Sequence, residues 1–121
     1  MRHFQDHEVI GLDSDFAVKL DDTREAAGVP FEITSGVRVS PPGKPKSHDR
    51  GLATDLRCGT SYRRMRIVSA ALRLGAHCMN CGSHSVRFTD AFRRIGVYDL
   101  HVHLDVDKKA PQDVMWWGES K

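Results

Sequence analysis

Apolar and polar positions alternate with two different periods along this chain, and the places where the period changes mark out its elements. Asp13 and Ser14 are N-cap residues for a helix running to about Ala27, with Phe16, Leu20 and Ala27 on one stripe and Gly28 where a C-terminal stop belongs. Val29-Pro30 breaks the chain. Phe31-Glu32-Ile33-Thr34 then alternates as a strand does. Residues 35–47 hold Gly36, Pro41, Pro42, Gly43 and Pro45 and read as a long loop, a feature that in a small domain is usually functional or mobile. Leu52 to Arg57 predicts a second strand. Thr60 or Ser61 caps a second helix to about Leu74, with Met65, Val68 and Leu72 facing inward and Gly75 ending it. Residues 76–90 show no clear period, and a short helical turn is expected over Asp90 to Arg94. Ile95 to Tyr98 and His101 to Val106 predict two further strands, followed by a tail that ends in Trp116-Trp117. The expected fold class is α+β, with helices covering one face of a small, mainly antiparallel sheet.

A length of 121 residues suits one domain, 1–121, with a core over about 13–106 and a C-terminal tail over 107–121. Eighteen basic residues against sixteen acidic leave a charge of +2, too balanced to argue for a nucleic-acid partner. No apolar run approaches the roughly 20 residues that span a bilayer, so stable membrane insertion is not expected. The start, Met1 to Glu8, carries three charged residues and two histidines and does not read as a secretory signal, which predicts synthesis in the cytoplasm. Three cysteines do not make a disulfide scaffold.

Seven histidines are the unusual feature, and two segments concentrate them. The first, His48-Asp49-Arg50-Gly51-Leu52-Ala53-Thr54-Asp55, has the form H-x-x-G-x-A-x-D. The second is His101-Val102-His103-Leu104-Asp105. On a strand, alternate side chains share a face, so His101, His103 and Asp105 line one wall while Val102, Leu104 and Val106 face the core. Gly51 would let the backbone turn and pass close to a bound ion. A catalytic zinc site takes three ligands from His and carboxylate and keeps one position open for water. His48, Asp55 and His103 would supply two imidazoles and one carboxylate, and His101 and Asp99 are candidates for the proton-transferring base. The alternative is a loop histidine beside a solvated strand face.

These blocks resemble the zinc peptidases of the hedgehog/D-alanyl-D-alanine-carboxypeptidase fold. Ser35-Gly36-Val37-Arg38 follows a strand, the block His48 to Asp55 comes next, and Ile95-Gly96-Val97-Tyr98 leads into His101-Val102-His103-Leu104-Asp105. The order and spacing are similar to the phage endolysin-like branch, and the match runs from about Asp13 to Val106. The resemblance implies a hedgehog/D,D-peptidase-like fold, one catalytic zinc held by His48, Asp55 and His103, and Arg38 binding the substrate carbonyl or a neighbouring carboxylate. It implies a metallopeptidase that cuts peptidoglycan stem peptides, with an L-alanyl-D-glutamate endopeptidase as the first reading and a D-Ala-D-Ala carboxypeptidase as the second. A compact, monomeric enzyme of that kind accumulates in the cytoplasm and reaches the cell wall when the membrane is breached.

Two positions depart from the family pattern. Lys46 stands where the family has a serine two residues before the first ligand, and Ser47 is adjacent instead, so a substrate contact from serine is in doubt. Leu100 stands where many members have an acidic base, with Asp99 one step earlier. His101 is then the favoured base or transition-state stabiliser, with Asp99 as partner or rival on the same wall if the chain stays extended. Asp105 is either a carboxylate that orients a ligand histidine or a solvated strand residue. The Leu100 departure also leaves room for a non-catalytic, zinc-containing binding module.

Three weaker signals remain. Cys78-Met79-Asn80-Cys81 has the C-x-x-C spacing of a zinc knuckle, but His77, His84 and Cys58 are scattered single candidates and supply no second ligand pair, so a second ion there is not expected. Trp116-Trp117 either packs the tail onto the domain or offers an aromatic patch to a wall or partner. Arg63, Arg64 and Arg66 form either a solvated helix face or a surface for anionic wall or membrane.

Overall fold

The computed structural model describes residues 3–35, 51–74 and 91–118. After a short 3-10 turn at Asp6–Glu8 come α1 (Ser14–Ala27), β1 (Glu32–Ser35), β2 (Ala53–Arg57), α2 (Ser61–Leu72), β3 (Arg94–Tyr98), β4 (His101–Asp105) and β5 (Val114–Gly118). Helix α1 begins because the Asp13 carboxylate accepts the Phe16 N–H at 3.1 Å, and it ends at Gly28, whose φ of 69° returns its N–H to the Arg24 carbonyl. Thr60 caps α2 in the same way, accepting the Arg63 N–H at 3.1 Å.

The strands form one five-stranded sheet in the order β1-β2-β4-β3-β5. β1, β2, β4 and β3 pair antiparallel, and β5 lies parallel to β3, so the sheet is mixed. β4 therefore sits in the middle, hydrogen-bonded on both sides. On one face Leu56, Val102, Leu104 and Ile95 meet Phe16 and Leu20 from α1 and Ile67 and Ala71 from α2, all essentially removed from water. Burying each of the larger side chains contributes roughly 2 kcal/mol before entropy is counted. Both helices lie on this face, which leaves the opposite one to polar side chains.

Several expectations need correction. In α2 the buried positions are Ile67, Ala70 and Ala71, whereas Met65 and Leu72, expected inward, are 61% and 49% exposed. The small alanines let α2 approach α1 and the sheet closely, and the larger residues are turned outward. No helical turn covers residues 91–94, because Arg94 already begins β3. The last part of the tail is a sheet strand, β5. Gly51 has a φ of 73°, and the backbone it passes closely is that of Gly11–Asp13, where its carbonyl accepts the Asp13 N–H at 2.9 Å.

Candidate metal centre

The polar face of the sheet is assembled by register. Asp55 on β2 stands directly opposite His103 on β4, with Arg57 opposite His101 and Ala53 opposite Asp105. His103 Nδ1 is 3.1 Å from Asp55 Oδ1, and its Nε2 is 2.8 Å from Asp105 Oδ2. His101 Nε2 lies farther off, 3.9 Å from the same Asp55 oxygen. Asp105 is buried, and its other oxygen accepts Arg94 Nε at 2.7 Å and the Asp107 N–H at 3.2 Å. Asp105 is therefore a buried carboxylate bonded to the His103 ring and not a solvated strand residue.

The contacts constrain protonation. Burial alone would push the His103 imidazole down, but hydrogen bonds to Asp105 and Asp55, with their charges, outweigh it and hold the group above its ordinary value. In the neutral ring whose Nε2–H donates to Asp105, Nδ1 and Asp55 Oδ1 present facing lone pairs at 3.1 Å, a repulsive arrangement unless a proton or a cation lies between them. Two ligands of a tetrahedral zinc, each about 2.1 Å from the ion, stand about 3.4 Å apart, so a shift of a few tenths of an ångström makes this pair chelating. The donors also suit zinc chemically, one carboxylate oxygen and one imidazole oriented from behind by a second carboxylate. The pair therefore fits part of a zinc site. Among the described residues no set of three such side chains stands at ligand spacing. His48, the third proposed ligand, lies outside the described residues, as do Arg38, Lys46 and Ser47. So do His77, Cys78, Cys81 and His84.

Tyr98 ends β3 and His101 begins β4, so Asp99 and Leu100 form the hairpin turn and the chain does not stay extended through Asp99. The Asp99 carbonyl accepts the Arg64 guanidinium from α2. His101 stays on the wall, its ring stacked on Tyr98 at 4.2 Å between centroids and 9° between planes. Cys58 lies across the sheet, buried on the helix side with Sγ donating to the Leu56 carbonyl at 3.3 Å; burial pushes this thiol up to about 11 against the opposing charge of Arg64.

Sequence reasoning missed the aromatic and cationic frame of the site. Gly96 pairs with His103 on one side and Trp116 on the other, and without a Cβ it lets the Trp116 indole lie over its backbone. The indole centroid is 5.3 Å from that of His103, and its Nε1–H donates to Tyr98 Oη at 2.9 Å. The Arg94 guanidinium packs over the indole at 5.2 Å. Alternation in Arg94-Ile95-Gly96-Val97-Tyr98 carried the signal, since it puts Arg94, Gly96 and Tyr98 on the wall.

No family model, no curated protein and no solved structure matches this chain.

Proposed function

We propose that this chain is a zinc-dependent peptidase of peptidoglycan stem peptides, cutting the L-alanyl-D-glutamate bond. The observation that carries the reading is the His103 imidazole held between two carboxylates, with Nδ1 turned toward Asp55 on the neighbouring strand. Together with the H-x-x-G-x-A-x-D block it supports a ligand set of His48, Asp55 and His103. Zinc held by that set supplies a Lewis acid that polarises an amide carbonyl and makes water nucleophilic near neutral pH. Asp105 fixes the His103 ring and keeps its outer nitrogen protonated, so the inner nitrogen directs its lone pair toward Asp55, where a metal would bind both. His101, half-buried and steadied by the Tyr98 ring, moves the proton between the attacking water and the leaving amine. Asp99 is the rival for that task, acting from the turn. Arg38 stabilises negative charge developing on the carbonyl oxygen or holds a substrate carboxylate, and Ser47 is the neighbouring hydroxyl available to substrate.

A D-Ala-D-Ala carboxypeptidase would use the same groups on a different bond, and a non-catalytic zinc module would use the ligands alone. Leu100, where many members of the resembled family carry an acidic base, favours the latter as the second reading. Digestion of purified sacculi with the zinc-loaded protein, read by mass spectrometry, separates all three. New L-alanine carboxyl ends with D-glutamate amino ends support the endopeptidase, and released D-alanine supports the carboxypeptidase. Unaltered muropeptides at full zinc occupancy refute both. His101→Ala and Asp99→Ala, assayed separately, assign the base.

A further inference from the structure

The outward face of α2 plays no part in that chemistry and has an unusual make-up for a face turned to water. Tyr62, Met65 and Leu72 recur along it at helical spacing and are each about half exposed or more. Beside them, from the edge strand β5, stands Trp117, 74% exposed. Met65, Val68, Leu72, Val97 and Trp117 line an open groove of about 430 Å³, with Arg64 at its border. Four such side chains left side by side form a patch, where scattered single ones would need no explanation.

Charge around the patch is one-sided. α2 carries Arg63, Arg64 and Arg66, with Arg73 at its C-cap, and no acidic residue. At 100° per residue, Arg66 and Arg73 flank the Met65–Leu72 stripe on the side of Tyr62, and Arg64 flanks it on the side of Trp117. Among the described residues, Arg64 donates to the Asp99 carbonyl and the Ser61 hydroxyl and Arg66 to the Ala27 carbonyl, neutral acceptors that leave both guanidinium charges in place. Of the aspartates nearby, Asp113 is paired with Arg93 through two bonds of 2.8 and 2.7 Å, and Asp99 sits in the turn beyond Arg64. An apolar stripe with arginine on both flanks and exposed Trp and Tyr at its margin matches the layered chemistry of a bilayer interface, with acyl chains below and anionic headgroups above. Among the described residues no helix is long and apolar enough to cross a membrane, so the fit is to a helix lying on the surface.

We infer that the outward face of α2 with Trp117 is a docking surface for an anionic lipid bilayer, separate from the candidate metal centre on the opposite face of the sheet. Met65, Leu72 and Trp117 enter the headgroup boundary while Arg64, Arg66 and Arg73 pair with lipid phosphates.

The test uses the whole chain and vesicles of phosphatidylcholine with and without 30% phosphatidylglycerol. Expected are co-sedimentation with the anionic vesicles, quenching of tryptophan emission by brominated acyl chains, and release by salt. The Met65→Ser/Trp117→Ser double variant should lower partitioning at least about tenfold, and Arg73→Gln roughly fivefold, one charge at the surface being worth that factor. Both changes are at exposed positions, and far-UV circular dichroism checks that the variants fold. Equal binding to neutral vesicles, no binding to either, or binding unchanged in the double variant overturns the inference. So does sedimentation equilibrium showing that the same residues hold two copies of the chain together without lipid.

Discussion

Replacing Asp105 with asparagine tests the central contact of the candidate metal centre. Asp105 is 2% exposed and bonds three groups, His103, Arg94 and the Asp107 N–H, so the change leaves the Arg94 guanidinium facing a neutral amide. Removing one partner of a buried ion pair costs about 3–5 kcal/mol, but Arg94 keeps 16% of its side chain in water and an amide still accepts, which brings the expected loss to about 2–3 kcal/mol. In a domain of this size that lowers the melting temperature by about 10 °C. Zinc affinity should fall 10- to 100-fold, because nothing then holds the proton on Nε2 or the ring in place. Competition for zinc against a chromophoric chelator gives the affinity, and thermal unfolding with excess chelator gives the stability. Arg94→Met separates the two effects. It should destabilise the metal-free protein by a similar amount yet leave zinc affinity within about threefold, because the Asp105–His103 contact survives. Unchanged zinc affinity in a folded Asp105→Asn protein would refute the view that this carboxylate orients a ligand.

Three further perturbations have defined outcomes. His103 is held above its unfolded value, so in the metal-free protein its contribution is complete below about pH 6.5 and is lost as pH rises through the folded value. Urea unfolding with chelator should show this decline, while zinc, which needs the deprotonated nitrogen, stabilises more strongly over the same rise. Gly51→Ala should cost about 2–4 kcal/mol, read by chemical denaturation, since a Cβ there meets the Gly11 carbonyl oxygen and the backbone is left-handed; a loss under 1 kcal/mol would contradict the close approach. Gly96→Ala places a Cβ 2.6 Å from the Trp116 indole, so near-UV circular dichroism should change and the Trp116–Tyr98 bond should break, at a cost of about 1–3 kcal/mol.

Local rules carried much of the fold. Asp13 and Gly28 bound α1 because a side-chain acceptor and a left-handed glycine satisfy the helix ends, effects confined to a few residues. The wall of His101, His103 and Asp105 followed from a strand's period of two, and the apolar alternates do face the core. Size misled in α2: Met65 and Leu72 are the larger apolar residues, yet the position of α1 selects Ala70 and Ala71 for burial. The turn at Asp99-Leu100 has no glycine and no positive φ, so nothing in the local residues marked it. β5 was hidden because Val114-Met115-Trp116-Trp117 does not alternate and its parallel neighbour, β3, lies many residues away. The Arg94–Asp105 pair is likewise a property of register across two strands, which neither segment reveals alone.

The crossover that carries the chain from β4 past β3 to β5 leaves β4 as the middle strand of five. Edge strands fray at little cost, whereas a strand bonded on both sides opens only when the whole domain does. Amide protons of His101 to Asp105 should therefore be among the last to exchange with deuterium, far behind those of β1 and β5. The backbone that carries His101, His103 and Asp105 is thus held by the global stability of the molecule, and small adjustments at the wall fall to the side chains.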